Sequence, residues 1–230
     1  VSTDLRSADL PGGSWRRLHD FARWLGTFIF APFYRLRAYG LENVPRTGPV
    51  LMIANHSTMV DGPVLFAVLP RRQVFLIKRE MFKGPLGFLL PKIGQVPITR
   101  GEPDRGALMT AVRLLKAGGM VGIFPEGTRG DGDVDEAHNG AAWLARTAGA
   151  VVLPVACRGT LRPAAATKRR FRPHVDVLVG KPFELPADKG RAALTAATER
   201  VRVELAALVA ELDRLRAGSP PASMSKEHEA

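Results

Sequence analysis

Cysteine is almost absent from this chain: of 230 residues only Cys157 carries a thiol. No internal disulfide can form, which fits a reducing compartment. The thiol lies in the apolar run "LPVACRG" and reads as inert core. Acidic residues are scarce beside basic ones, 22 against 33, for a net charge of +11. Such a surface attracts polyanions: nucleic acid, anionic lipid or phosphorylated small molecules. Helix-turn-helix patterning, a zinc-ligand set and aromatic–basic interleaving are all missing, so nucleic acid is not an expected partner. Long apolar runs are missing too. The segment "WLGTFIFAPFY" at 24–34 would reach about 16 Å as a helix, against about 30 Å of bilayer hydrocarbon, and cannot span alone. The opening "VSTDLRSADLPGG" is polar and acidic where a secretory signal has a basic region, so no such signal is expected.

What is present is 46% apolar composition, enough for one α/β domain with a full core. Residues 1–13 read as a flexible leader. Residues 14–39 read as one amphipathic to apolar helical segment. Trp15, Leu18, Ala22, Leu25 and Ile29 recur at helical spacing with Arg16, Arg17 and Arg23 among them. Arginines on both sides of the apolar run suit a headgroup boundary; a core helix packed on the domain is the alternative. From residue 40 to 217 short buried strands alternate with helices: "VLMIA", "QVFLIK", "QVPITR", "MVGIF", "AVVLPVA" and "VDVLVG". That alternation predicts an α/β sheet with parallel pairs. "FKGPLGFLLPKIG" reads as a broken apolar segment. Helices are expected from about Gly62 to Leu69, from Glu102 to Lys116 and from 140 to 148. A long one follows, with Leu194, Val201, Leu205, Leu208, Leu212 and Leu215 as a stripe that docks on the domain or, alternatively, forms a coiled coil. Residues 218–230 read as a disordered tail.

Between "VLMIA" and the next helix lies "NHSTMVDGP", which places His56 and Asp61 five positions apart. On a regular helix they would diverge by about 140°; a turn running into a helix start can bring them together. An aspartate accepting from a histidine N–H fixes the tautomer and raises the basicity of the other nitrogen. The competing interpretation is a turn in which Asp61 caps the helix, with Pro63 in its first turn. On these nine residues both stand open. Two later stretches bear on them. "IFPEGTRG" ends a strand with a glycine and Arg129, and "IGQVPITRG" ends another at Arg100. Arginines at strand ends near a His/Asp pair describe a ligand site at the carboxyl edge of a sheet.

Together these blocks resemble the glycerolipid acyltransferase family that includes the 1-acyl-sn-glycerol-3-phosphate acyltransferases. "NHSTMVDGP" looks like the family's His-x4-Asp block, "GQVPITR" its second block, "FPEGTRG" its third and "VVLPVA" its fourth, in the family's order. The resemblance implies a mixed, largely parallel sheet flanked by helices. It implies that His56 deprotonates an acceptor hydroxyl and that Asp61 orients His56. It assigns the acceptor phosphate to Arg100, Glu126, Gly127, Thr128 and Arg129. It implies acyl-CoA or acyl-carrier protein as donor, a lysophospholipid as acceptor, phosphatidic acid as product, and no cofactor or metal. Another lysophospholipid, glycerol 3-phosphate or a glycolipid is an alternative acceptor; a non-catalytic basic lipid-binding module is the alternative to an enzyme. A peripheral position on the cytoplasmic face of an anionic membrane is expected, with "KRRFR" at 168–172 as a headgroup contact. Two departures stand out: Gly130 where the family commonly has serine, and an acidic loop, "DGDVDE", after it. That loop is not an EF-hand, because position six is Glu136 and position twelve Ala142.

Overall fold

The computed structural model describes residues 9–30, 32–99, 104–125, 139–161, 172–188 and 190–218. At the centre of the sheet is β2 (Val50–Ala54), all five of whose residues are buried. A strand covered on both faces has no reason to alternate, which is why "VLMIA" is continuously apolar. β5 (Met120–Ile123) and β6 (Val151–Arg158) flank β2 in parallel. β3 (Val74–Lys78) and β4 (Val96–Ile98) extend the β5 side, again in parallel. On the other side β7 (His174–Val179) runs antiparallel to β6, and β1 (Arg35–Tyr39) pairs parallel with β7 at the edge. The order is β1-β7-β6-β2-β5-β3-β4. The chain leaves β2 toward β3 and leaves β5 toward β6, so the carboxyl ends of β2 and β5 bound the crevice where such sheets bind ligands.

Helices cover both faces. Leu51 and Ile53 pack with α4 (Arg105–Lys116), α5 (Gly140–Ala148) and α6 (Arg191–Arg216). Val50, Met52 and Ala54 pack with α2 (Asp61–Val68) and with Leu18 and Ala22 of α1 (Arg16–Phe30). α4 begins at Asp104, whose carboxylate accepts from the Ala107 amide at 3.0 Å, and gives way to Gly118 at φ 81°. The α6 stripe of Val201, Leu205, Leu208 and Leu212 is buried against the domain, so its spacing serves docking, not a coiled-coil seam. Arg158 and Asp213 pair at 2.9 Å and fasten the end of β6 to that helix. Cys157 is buried, and burial pushes its thiol well above the usual range.

Two expectations need correcting. The helical segment expected over 14–39 ends at Phe30, and Arg35–Tyr39 is a strand. "RLRAY" alternates with period two, and Arg37 pairs with the buried Asp176 opposite it in register. The broken apolar segment folds as α3 (Gly84–Lys92), with Pro85 in its first turn and none of its residues buried. Among the described residues no helix is long and apolar enough to cross a membrane.

Besides the apolar contacts of Leu18 and Ala22, α1 holds the domain through polar groups. Buried His19 donates from Nδ1 to the Ile93 carbonyl at 2.7 Å, Arg23 donates to the Phe66 and Leu69 carbonyls, and Asp20 accepts from Arg72 at 2.7 Å. Trp15, Phe21, Trp24, Phe28 and Ile29 face outward. The docking of α6 predicts that Leu205→Ala, at a fully buried position, lowers stability by about 2–5 kcal/mol in urea unfolding. A loss under about 0.5 kcal/mol would show that α6 is not part of the core.

Candidate active site

Past the end of β2 the chain turns with Asn55 and His56. Asn55 is fully buried and continues the sheet with its side chain. Its Nδ2 donates to the Cys157 carbonyl at 3.0 Å and its Oδ1 accepts from the Cys157 amide at 2.7 Å. That clamp to β6 fixes where the next residue starts. His56 is 7% exposed, and its Nδ1 lies 3.1 Å from Asp61 Oδ2. Its ring stacks on Phe124, with centroids 4.1 Å apart and planes at 19°. Phe124 follows β5 directly, so the first and third sequence blocks meet at this stack.

Asp61 is 1% exposed and is the first residue of α2. It is not the cap: Val60 holds that position, with no side-chain cap hydrogen bond. The carboxylate instead looks back into the turn. It accepts from the Ser57 and Thr58 amides at 2.7 Å each, from Thr58 Oγ1 at 3.2 Å and from Thr160 Oγ1. Burial alone would push the carboxyl up. The hydrogen bonds from His56, Thr160, Thr58 and Ser57 together outweigh it and hold Asp61 below its ordinary 3.8. An ionised acceptor at Nδ1 selects the tautomer that keeps the lone pair on Nε2.

Beside His56 opens a cavity of about 410 Å³ whose walls include Phe66, Phe75, Leu90, Ile93 and Phe124. Gln95 also lines it, but its amide is spent on the backbone: Oε1 accepts from Phe75 N at 2.9 Å and Nε2 donates to Ile93 O at 3.1 Å. The chamber is therefore apolar in character, with Lys78 also lining it.

Of the residues singled out from sequence, the structure brings His56 and Asp61 together. Arg100, Glu126, Gly127, Thr128 and Arg129 lie outside the described residues, as do the acidic loop 131–136 and residues 168–171 of the basic run. Three contributors were not foreseen: Thr160, Asn55 and the ring of Phe124. Thr160 lies just past the fourth block, in the bend after β6, a strand that neighbours β2 only through the sheet order. His19, which belongs to none of the sequence blocks, is a buried anchor of α1.

A family model described as "Acyltransferase" matches residues 35–158. The chain is 30% identical over 178 residues to the 1-acyl-sn-glycerol-3-phosphate acyltransferase of Bacillus subtilis, covering 74% of this chain and 87% of that protein. It is 32% identical over 177 residues to the chloroplastic 1-acyl-sn-glycerol-3-phosphate acyltransferase LPAT1 of Arabidopsis thaliana, covering 73% of this chain and 49% of that protein. The crystal structure of the 1-acyl-sn-glycerophosphate acyltransferase PlsC from Thermotoga maritima superposes with a TM-score of 0.65 at 23% identity, covering 86% of this chain and 80% of that one. The last shows a shared α/β fold with a largely parallel sheet.

Asp61 supplies a pH test. Its carboxyl is depressed in the fold, so the stability it contributes is present above its unfolded value of about 3.9 and is lost as pH falls through the lower folded value. Thr160→Val removes one donor to the ionised form. It should cost about 1.5–3 kcal/mol at pH 7 in chemical unfolding, and the cost should shrink as pH drops below 3.8. Equal losses at both pH values would mean that Thr160 does not act on the charged carboxylate.

Proposed function

The chain belongs to the acyltransferase family and is an O-acyltransferase, and from that premise we propose that it moves a fatty acyl group from acyl-CoA or acyl-carrier protein to the free hydroxyl of 1-acyl-sn-glycerol 3-phosphate, giving phosphatidic acid. Family membership sets aside the non-catalytic alternative. The observation that carries the proposal is the His56–Asp61 pair at 3.1 Å, placed at the carboxyl end of β2 and opening on an apolar cavity.

In this reaction His56 Nε2 takes the proton of the acceptor hydroxyl as its oxygen attacks the thioester carbonyl. Asp61 keeps the tautomer and stabilises the imidazolium that forms. The tetrahedral intermediate collapses, the C–S bond breaks, and the proton passes from His56 to the departing thiolate. The acyl-enzyme stage is dispensable, because the hydroxyl is itself the nucleophile. The cavity takes an acyl chain, and its walls keep water from competing for the thioester. Arg100 and the Glu126–Arg129 stretch bind the acceptor phosphate. The outward aromatics of α1 rest in the headgroup region of an anionic membrane on its cytoplasmic face, with the polar inner face holding the catalytic domain.

Release of the carrier thiol, measured against a panel of lysophosphatidic acid, other lysophospholipids, glycerol 3-phosphate and a glycolipid, tests the proposal. Lysophosphatidic acid should be the preferred acceptor. His56→Ala should lower turnover by about 10²-fold or more while the protein still folds, as circular dichroism would show, with stability lowered by about 1.5–3 kcal/mol because Asp61 loses a donor. Undiminished transfer in that variant would sink the mechanism. Arg129→Ala should chiefly raise the acceptor KM; an unchanged KM would remove Arg129 from the phosphate site.

A further inference from the structure

α3 is an apolar helix that the described residues of the domain do not cover. Its sequence is GPLGFLLPK, it contains no acidic residue, and none of its residues is buried. Phe88 is 67% exposed, and Leu86 and Leu89 are exposed as well. A helix of this composition is ordinarily found inside a core or against lipid. Around the helix Phe88 stands about 200° from Leu86. Leu86 and Leu90 line the His56 cavity. One side of α3 is therefore a wall of the catalytic chamber and the opposite side is bare.

We propose that α3 is a membrane-inserted rim of the active site, with Phe88 and Leu89 entering the acyl region of an anionic leaflet so that a lipid chain passes from the bilayer into the cavity along Leu86 and Leu90. This rests on the proposed reaction and identifies the route of its lipid substrate. Three observations select an anionic leaflet as the occupant. Lys83 precedes the helix and Lys92 closes it, the placement that lets lysine stems lie along the apolar surface while the ammonium groups meet phosphates. The bare face adjoins a chamber that is itself apolar and opens at His56. It is also joined to the outward aromatic face of α1: the Trp15 amide donates to the Lys92 carbonyl at 2.7 Å, and Lys92 Nζ sits 5.1 Å from the centre of the Trp15 ring. The end of α3 is thus tied to the start of α1, and both helices carry exposed apolar side chains beside basic residues.

The test is Phe88→Glu, a change at an exposed site with Phe88→Leu as the conservative control. Co-sedimentation is measured with vesicles of phosphatidylglycerol and phosphatidylcholine. Transfer is measured to a long-chain acceptor held in those vesicles and to a short-chain acceptor dispersed below its micelle concentration. Phe88→Glu should weaken vesicle binding by about tenfold and lower transfer to the vesicle-held acceptor similarly, with the dispersed acceptor affected by less than about twofold. Phe88→Leu should behave as the unaltered protein. Unchanged vesicle binding would overturn the proposal. Equal loss on both acceptors would also do so, since Phe88 would then act on the chamber itself. A shift from dimer to monomer in sedimentation, with vesicle binding intact, would mean that a second copy covers the helix. If the unaltered protein acylates neither acceptor, the reading of the reaction fails, and vesicle binding alone then decides the role of α3.

Discussion

A carboxylate withdrawn from water must be given hydrogen bonds in return, and the neighbourhood of Asp61 is arranged around that demand. Two amides come from the turn after β2, hydroxyls come from Thr58 and Thr160, and His56 supplies the remaining contact. These donors belong to two parts of the chain, the turn after β2 and the segment after β6, while the carboxylate itself comes from the start of α2. Satisfying one buried charge therefore fixes how the loop, the helix and the neighbouring strand end meet. Asn55 reinforces the arrangement by pairing its amide with both backbone groups of Cys157. The imidazole is held from two directions, by the carboxylate at Nδ1 and by the Phe124 ring on its face. Its orientation is thus fixed by the surrounding protein, the preorganisation that the proposed role as a base calls for.

The fold was legible in the sequence to the extent that burial left a contiguous mark. β2, β5 and β6 are covered on both faces, so their apolar runs are unbroken. α4 carries its own start and stop signals in Asp104 and Gly118. β1 escaped because it is an edge strand whose alternate residues are exposed; its arginines looked like the flank of a helix until Arg37 found Asp176. α3 escaped because glycine and proline at four of its nine positions weaken any helical pattern. At the site, His56 and Asp61 were conspicuous because both fall within a single turn. Thr160 follows Asp61 by 99 positions, and only the adjacency of β6 to β2 brings it near. Partners that meet across a sheet leave no local signature. The cap interpretation of Asp61 was reasonable from "DGP" and fails for a directional reason: the carboxylate turns toward the amides before it instead of those after it.

Charge and apolar surface are distributed unusually between the helices. α4, α5 and α6 follow the ordinary rule, with apolar faces inward. α1 uses His19, Asp20 and Arg23 for attachment and sends most of its aromatic area outward. Directional hydrogen bonds and ion pairs fix the angle and register of that helix in a way that a greasy contact would not. His19 illustrates the cost: it is fully buried, and its Nε2 has no hydrogen-bond partner among the described residues. Burial lowers its pKa and keeps the ring neutral. Arg23 and Arg72 stand near it, so a charged ring would repel its own anchors.

Cys157 has a chemical consequence beyond packing. It is the chain's sole sulfhydryl, and it is shut in the sheet with its thiol driven far from ionisation by burial. A thioester exchange on the protein would require an accessible thiolate, and this molecule has none to offer. In the proposed reaction the acyl group thus has no sulfur resting place on the enzyme. For the same reason a chromogenic thiol reagent added to the folded protein would register none of the protein's own sulfur.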